Sequence, residues 1–387
     1  MSVIGEGKYA KYIVKGKHTS HEILGRKSGK TQGVQLFSFD DHDEAPFYTE
    51  AFVFIKGDEY AVQAGNQIEY PPTSWIGQIQ ARTGLKWFLY PHVHPFLERY
   101  HVMSLDPDDV ENLGGTMQVW VNDANRVPEL AENAELYELK KPCIMVLPEN
   151  MRHGPLNFVD MKRTFFFLLV AESKAYRRVS NWRPGEDHLY PPSIDYVTGD
   201  GAEKWRPKPQ SEAVKNKREY AHLYKELDPY SWMPAPRLHK GKSRIIHHAT
   251  WKDHPQVRSR VECHLITGGG IGFGCGDNEQ FPPCPMKNSA WSTLAFYSTD
   301  PDLPGLGGKV EVWIGEGANA EKYIVDETVT FIIPPATVHY PIYVHECTRP
   351  FVMATIIDEP LFGGKFVDVY PPGFQYQVPD KRPPKDK

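Results

Sequence analysis

The sequence predicts a mainly β chain built as two copies of one unit. Composition is the first reason: 34 prolines, 31 glycines and 12% aromatic residues describe short strands joined by turns, not long helices. The second is a series of strand-sized runs from residue 51: AFVFIKG, SWIGQIQAR, LKWFLYPHVH, TMQVWV, CIMVLPE and RTFFFLLVAES. Several alternate apolar and polar residues, while RTFFFLLV is continuous, as a strand buried on both faces would be. The third is an internal repeat. SLDPDDVENLGGTMQVWV, from Ser104, recurs as STDPDLPGLGGKVEVWI from Ser298, 194 residues later. LPENMRH is then echoed by IPPATVH, which aligns Pro148 with Pro334 and His153 with His339.

The elements fall in order. Residues 1–50 are polar with weak strands and read as an N-terminal arm of the kind that lies across a neighbouring sheet or subunit. Residues 51–173 form the first copy. Residues 174–240 are rich in Pro, Trp and Tyr and read as a packed linker. In it Tyr220, Leu223, Tyr224 and Leu227 follow helical spacing, with Ser211 as N-cap. Residues 241–370 form the second copy, and 371–387 a C-terminal tail. The segment GGGIGFGCG, from Gly268, has no strand–GxGxxG–helix context and reads as a hairpin corner, not a phosphate loop.

Whole-chain properties exclude several classes. A net charge of −5 over 387 residues, with no basic stripe, gives no attraction to nucleic acid. The first residues, MSVIGEGKYAKYIVKG, have no apolar h-region, and no apolar run is long enough to cross a bilayer. Cys143, Cys263, Cys275, Cys284 and Cys347 are odd in number and irregularly spaced, unlike a disulfide framework or a zinc site. A cytoplasmic protein with reduced thiols, assembled as a homo-oligomer and acting on a small molecule, is expected.

The stretch YPHVHPFLERY, residues 90–100, carries the chemistry. His92, His94 and Glu98 project to one face if strand pairing carries through the turn at Pro95. Two imidazoles and a carboxylate on one face make a facial triad, a common holder of Fe(II) and other first-row ions. His153, in PENMRHGPLN, is a fourth ligand candidate. Imidazole suits many divalent metals, and the carboxylate shifts preference toward Mn(II) or Fe(II). Four protein donors on an octahedral ion leave two adjacent positions open for a bidentate oxygen substrate, water or O2.

These two segments resemble the motifs of the cupin superfamily. The first motif supplies two His and a Glu at this spacing, and the second Pro, His and Asn, here Pro148, His153 and Asn157. Turn glycines depart from the pattern: Asn150 stands where the second motif has Gly, and Gly84 lies eight residues before His92. The resemblance, with the repeat, implies a bicupin, two tandem jelly-roll β-barrels. In the second copy, Met286, Asn288 and Ser292 stand opposite His92, His94 and Glu98. Only His339 remains, and no spacing requires His264 to join it, so one metal ion per chain is expected.

Strand parity turns Tyr90 toward the face of His92 and His94, and Tyr100 toward that of Glu98. Either phenol is a candidate proton donor or merely an aromatic filling the barrel. Three kinds of function compete. Metal-activated water opens a C–C bond beside a ketone of a small oxygenated ring; Fe(II) and O2 cleave a phenolic or diketone substrate; or the chain is a non-enzymatic bicupin, against which the intact ligand set argues. An isomerase working through an enediol is a further possibility. The hydrolytic reading is preferred, because the general layout is similar to that of manganese-dependent cyclohydrolases of anaerobic phloroglucinol breakdown.

Overall fold

The computed structural model describes residues 6–25, 31–37, 47–57, 96–123, 135–149, 151–172, 218–227, 241–273, 285–300, 303, 305–359, 365–367 and 370–373. Strands dominate them. In chain order they are β1 (Ile13–Lys15), β2 (Lys17–Gly25), β3 (Thr31–Phe37), β4 (Tyr48–Phe54), β5 (Glu98–Ser104), β6 (Thr116–Asp123), β7 (Glu135–Leu139), β8 (Cys143–Leu147), β9 (Met151–Val159), β10 (Phe165–Ala171) and β11 (Tyr224–Glu226). The series continues with β12 (Ser243–Ala249), β13 (Arg260–Ile266), β14 (Ile271–Phe273), β15 (Met286–Lys287), β16 (Ser292–Ser298), β17 (Gly308–Ile314), β18 (Glu321–Val325), β19 (Val329–Ile333), β20 (Val338–Cys347), β21 (Phe351–Ile357) and β22 (Lys365–Phe366).

Two compact units form. The first comprises His18–Asp43 and Phe47–Glu226; the second comprises Met1–Lys17, Glu44–Pro46 and Leu227–Lys387. The first unit pairs a large sheet, β11-β8-β5-β10-β4-β3-β2, with a small one, β7-β6-β9. The second unit repeats the order as β1-β19-β16-β21-β13-β12 and β18-β17-β20-β15-β22, with β14 also on β20. Every described pairing is antiparallel. The mainly β, two-barrel architecture expected of a bicupin is therefore what the chain adopts. In each unit the apolar core lies on the facing sides of the two sheets. Phe52, Tyr100, Val102, Val119, Phe158 and Phe167 contribute in the first, and Leu294, Phe296, Val312, Phe331, Ile342 and Met353 in the second.

The repeat in the sequence has a local physical cause. Ser104 Oγ accepts the Asp106 amide at 3.1 Å where β5 ends, and Ser298 Oγ accepts the Asp300 amide at 3.2 Å where β16 ends. The Gly-Gly pair that follows turns a corner needing left-handed backbone, with φ of 67° at Gly114 and 82° at Gly307. The carbonyls of these glycines accept the amides of Arg163 at 3.2 Å and Arg349 at 3.0 Å. A side chain at Gly115 would meet Met161 Sδ at 2.7 Å, and one at Gly308 would meet Phe351 at 2.6 Å. The corner thus dictates both glycines in both copies. The segment GGGIGFGCG turns into β14, with Gly270 at φ 74°; the remainder of that segment lies outside the described residues.

Each unit is edged by a segment distant in sequence. A 3-10 turn over Ala10–Tyr12 leads into β1, which pairs with β19 of the second unit. An equivalent turn over Ala221–Leu223 leads into β11, which pairs with β8 of the first unit. This corrects the helix expected across Tyr220, Leu223, Tyr224 and Leu227; Ser211, its expected cap, lies outside the described residues. The turn alone buries Tyr220 and Leu223, and the open edge of β8 offers backbone partners that a helix would forgo.

A carboxylate holds each turn, buried in the first unit and partly exposed in the second. Glu135 accepts the amides of Glu219 at 2.8 Å and Tyr220 at 3.3 Å, with the Tyr137 hydroxyl as a third donor. Glu321 accepts the amides of Lys8 at 2.8 Å and Tyr9 at 3.2 Å, together with the Tyr323 hydroxyl. Burial pushes the Glu321 carboxyl up, but these donors outweigh it and leave it below the ordinary value. A carboxyl lowered by folding contributes stability above its unfolded pKa of about 4.3, and that stability is lost as pH falls through the folded value. Protection of the Lys8 and Tyr9 amides, measured against the intrinsic exchange rate at each pH, should therefore fall as pH drops below about 4. Glu321→Ala should lower that protection about tenfold at pH 7, the equivalent of one charged hydrogen bond, and exchange as slow as in wild type would contradict the latch.

Candidate metal centre

Glu98 opens β5, whose seven residues are all buried. Alternation puts Glu98, Tyr100 and Val102 on the interior face and Arg99 and His101 on the other. Arg99, fully buried on that outer face, is 3.1 Å from Glu172 and fixes the start of the strand. His153 lies on β9 of the small sheet, so the two residues approach from opposite walls. The β6–β9 register slips beside it: Val119 pairs with Leu156, but Val121 pairs with His153. That bulge falls at Gly154 and Pro155, where proline's missing N–H costs no ladder bond, and it re-aims the imidazole. The second unit repeats the slip, with Val312 on Ile342 and Ile314 on His339.

His153 Nε2 and Glu98 Oε2 are 2.9 Å apart, with the side chains 2% and 1% exposed. The other ring nitrogen, Nδ1, is 2.9 Å from the Met151 carbonyl. A carbonyl only accepts, so Nδ1 carries the hydrogen and orients the Nε2 edge toward Glu98, as in metal-binding histidines. Two donors on adjacent corners of an octahedral ion, each about 2.1 Å from it, are about 3 Å apart. The spacing and tautomer of this pair fit a divalent ion, and a buried carboxylate is most stable beside a cation.

Tyr100 stands beside this pair, its ring 6.1 Å from that of His153 and 5.0 Å from Phe167. Burial, then the charge and hydrogen bond of Glu98, raise its phenol well above the ordinary value of 10. It stays protonated beside that carboxylate. Of the other expected site residues, Tyr90, His92 and His94 lie outside the described residues. The backbone of Asn157 pairs with Gln118, and its side chain is outside the description. Among the described residues no group of three His, Cys, Asp or Glu side chains is poised for a metal; Glu98 and His153 supply two of the four expected donors.

Two interior residues were not among those singled out from the sequence. Glu50, 6% exposed, shares the interior face of β4 with Tyr48, Phe52 and Phe54, and the Tyr48 hydroxyl donates to its Oε1. Alternation read from Tyr48, not Ala51, would have found both.

The second unit keeps the scaffold with different chemistry. Asn288 Nδ2 lies 3.2 Å from Ser292 Oγ and 3.5 Å from His339 Nε2. His339 Nδ1 is tied to the Thr337 carbonyl at 3.0 Å, as His153 is to Met151. Burial lowers the His339 pKa to about 4, so the ring is neutral. His264 is engaged elsewhere, 2.7 Å from Glu262.

No known protein family's sequence profile matches the chain, and no curated protein does. Solved structures similar in chain trace include the oxalate decarboxylase of Lactobacillus farciminis in its formate complex, at 9% identity and a TM-score of 0.49, covering 94% of this chain and 90% of that one. Two variants of the Bacillus subtilis oxalate decarboxylase match at 10% identity, covering 92% of this chain and 79% of theirs, with TM-scores of 0.47 and 0.48.

The paired donors carry a direct expectation. Glu98→Gln and His153→Ala should each weaken Mn(II) binding on the order of 100-fold, at least the loss seen when supporting groups around a metal are removed. His339→Gln should leave it unchanged. Titration calorimetry reads both, and unaltered binding in the first two variants would contradict the site.

Proposed function

We propose that the first unit is the catalytic half of a metal-dependent enzyme. It acts on a small oxygenated ring, a cyclic diketone or a polyphenol-derived compound, and cleaves a C–C bond hydrolytically. The observation that carries the reading is the buried contact of Glu98 with His153, beside an apolar core that includes Phe52, Tyr100, Leu156, Phe167 and Leu169. With His92 and His94 these two side chains would hold one Mn(II) or Fe(II) ion. Such an ion supplies Lewis-acid chemistry, acidifying a water molecule and steadying an enolate.

The chain's own residues divide the remaining work. Tyr100 keeps its proton beside Glu98 and would present a phenol O–H to the site. The aromatic walls exclude bulk water and offer flat apolar surface to a ring. Confinement beside the donors makes attack effectively intramolecular. Tyr90 and Asn157 are proposed as further polar contacts to substrate.

A dioxygenase reading shares the donor set, and oxygen dependence separates the two. Under strict anaerobiosis the Mn(II)-loaded protein should turn over a cyclic 1,3-diketone and incorporate oxygen from labelled water. Turnover that requires O2 and Fe(II), or product oxygen that comes from O2, would contradict the hydrolytic reading.

A further inference from the structure

We infer that the interior of the second unit holds a binding site of its own, one without a metal, for a small neutral ring that carries a hydroxyl group. All of its residues belong to that unit, so it does not depend on the reaction of the first. Ser292 opens β16 and shares a face with Leu294 and Phe296, both in the core. His339 pairs with Ile314, another core residue, so its ring also faces inward. Asn288 joins the two, its Nδ2 lying 3.2 Å from Ser292 Oγ and 3.5 Å from His339 Nε2.

Hydrogen bonding fixes how these groups are turned. The Thr337 carbonyl, 3.0 Å from His339 Nδ1, takes the ring hydrogen, so Nε2 is an acceptor. The Asn288 amide therefore turns its Nδ2 toward that nitrogen and toward Ser292 Oγ. Its Oδ1, in a residue 3% exposed, has no hydrogen-bond partner among the described residues. Ser292 Oγ accepts from Nδ2, and its own hydrogen remains to donate. Folded chains rarely leave a buried acceptor without a donor, so here the donor comes from a bound molecule. One hydroxyl group satisfies both residues, accepting from Ser292 and donating to Asn288. A carboxylate offers acceptors only and would face the lone pairs of Oδ1 and Nε2.

The cluster lies just below the surface. Ser289, next to Asn288, is exposed, as are Pro335 and Ala336, and the Ala336 amide donates to the Asn288 carbonyl at 2.8 Å. Tyr340 is half-buried, with its ring 5.0 Å from that of His339. Its φ of 71° is a left-handed conformation costly for a bulky residue, and it stands where the first unit has Gly154 after its histidine. Strain of this kind persists where a side chain has to stand in one place, and the phenol ring gives a flat wall to a ring-shaped ligand. Phe351 pairs with Ile266 as Phe165 pairs with Phe54, which sets Arg260 and Glu262 where the first unit has Tyr48 and Glu50. These two charges on the wall of the large sheet are paired with each other, which leaves the cluster selective for a neutral ligand.

Phenol is the probe, and titration calorimetry on the whole Mn(II)-loaded chain is the measurement. Phenol should bind, and benzoate, of similar shape but charged, should bind about tenfold more weakly or not at all. Asn288→Leu, which keeps the shape and removes Oδ1, and Ser292→Ala should each weaken phenol binding about tenfold, the worth of one hydrogen bond. Ser292→Ala removes only an oxygen, so it decides the matter if Asn288→Leu does not fold. Tyr340→Gly should weaken phenol binding as well, and Glu98→Gln should leave it unchanged. A crystal soaked in phenol should show the ring beside Tyr340 with its hydroxyl between Ser292 and Asn288. No binding of phenol, benzoate bound as tightly, affinity unaltered by Ser292→Ala, affinity lost in Glu98→Gln, or a soaked crystal with water alone at Asn288 Oδ1 would each overturn the inference.

Discussion

The site depends on one contact, the carboxylate of Glu98 meeting the imidazole of His153 from opposite sheets of one barrel. Each partner is nearly inaccessible to solvent, so neither gains hydration that would offset its burial. The fold fixes the pair from both sides. A fully buried Arg99 anchors the strand carrying Glu98, and a proline bulge with a backbone carbonyl sets the ring of His153. The pair is thereby held in the geometry that the proposed metal site requires of these two donors.

The two units show how one scaffold separates stability from chemistry. Both keep the Ser-capped turn, the Gly-Gly corner, the proline bulge and the Glu latch that holds an edge segment. The interior changes. Where the first unit has Glu98 against His153, the second has an Asn288–Ser292–His339 cluster with a neutral imidazole. Where the first has Tyr48 and Glu50, the second has Arg260, Glu262 and His264 joined as an ion network. Such a network pairs its charges with one another, which fits a structural role for it in the second barrel.

Much of this was legible in the sequence because short-range rules govern it. Turn glycines, strand alternation and the Ser-x-Asp caps fix the repeat locally, and motif spacing singled out Glu98 and His153. Tertiary partners decided the rest. The spacing of Tyr220, Leu223, Tyr224 and Leu227 suits a helix, but the Glu135 carboxylate and the edge of β8 draw that segment into a turn and a strand. Glu50 escaped notice because alternation was read from Ala51, one residue after it, and a lone glutamate at a strand start resembles a solvated one. The exchange of edge segments, with residues 13–15 in the second unit and 224–226 in the first, depends on carboxylates more than eighty residues away in sequence from the amides they hold.

The central claim is that the first unit binds one divalent ion through three histidines and a glutamate. The most direct test is metal analysis of the whole chain loaded anaerobically with Mn(II), combined with pulsed electron paramagnetic resonance of the bound ion. The account predicts one Mn(II) per chain with three directly coordinated imidazole nitrogens. Two ions per chain, none, or an ion without imidazole nitrogen in its coordination sphere would contradict it.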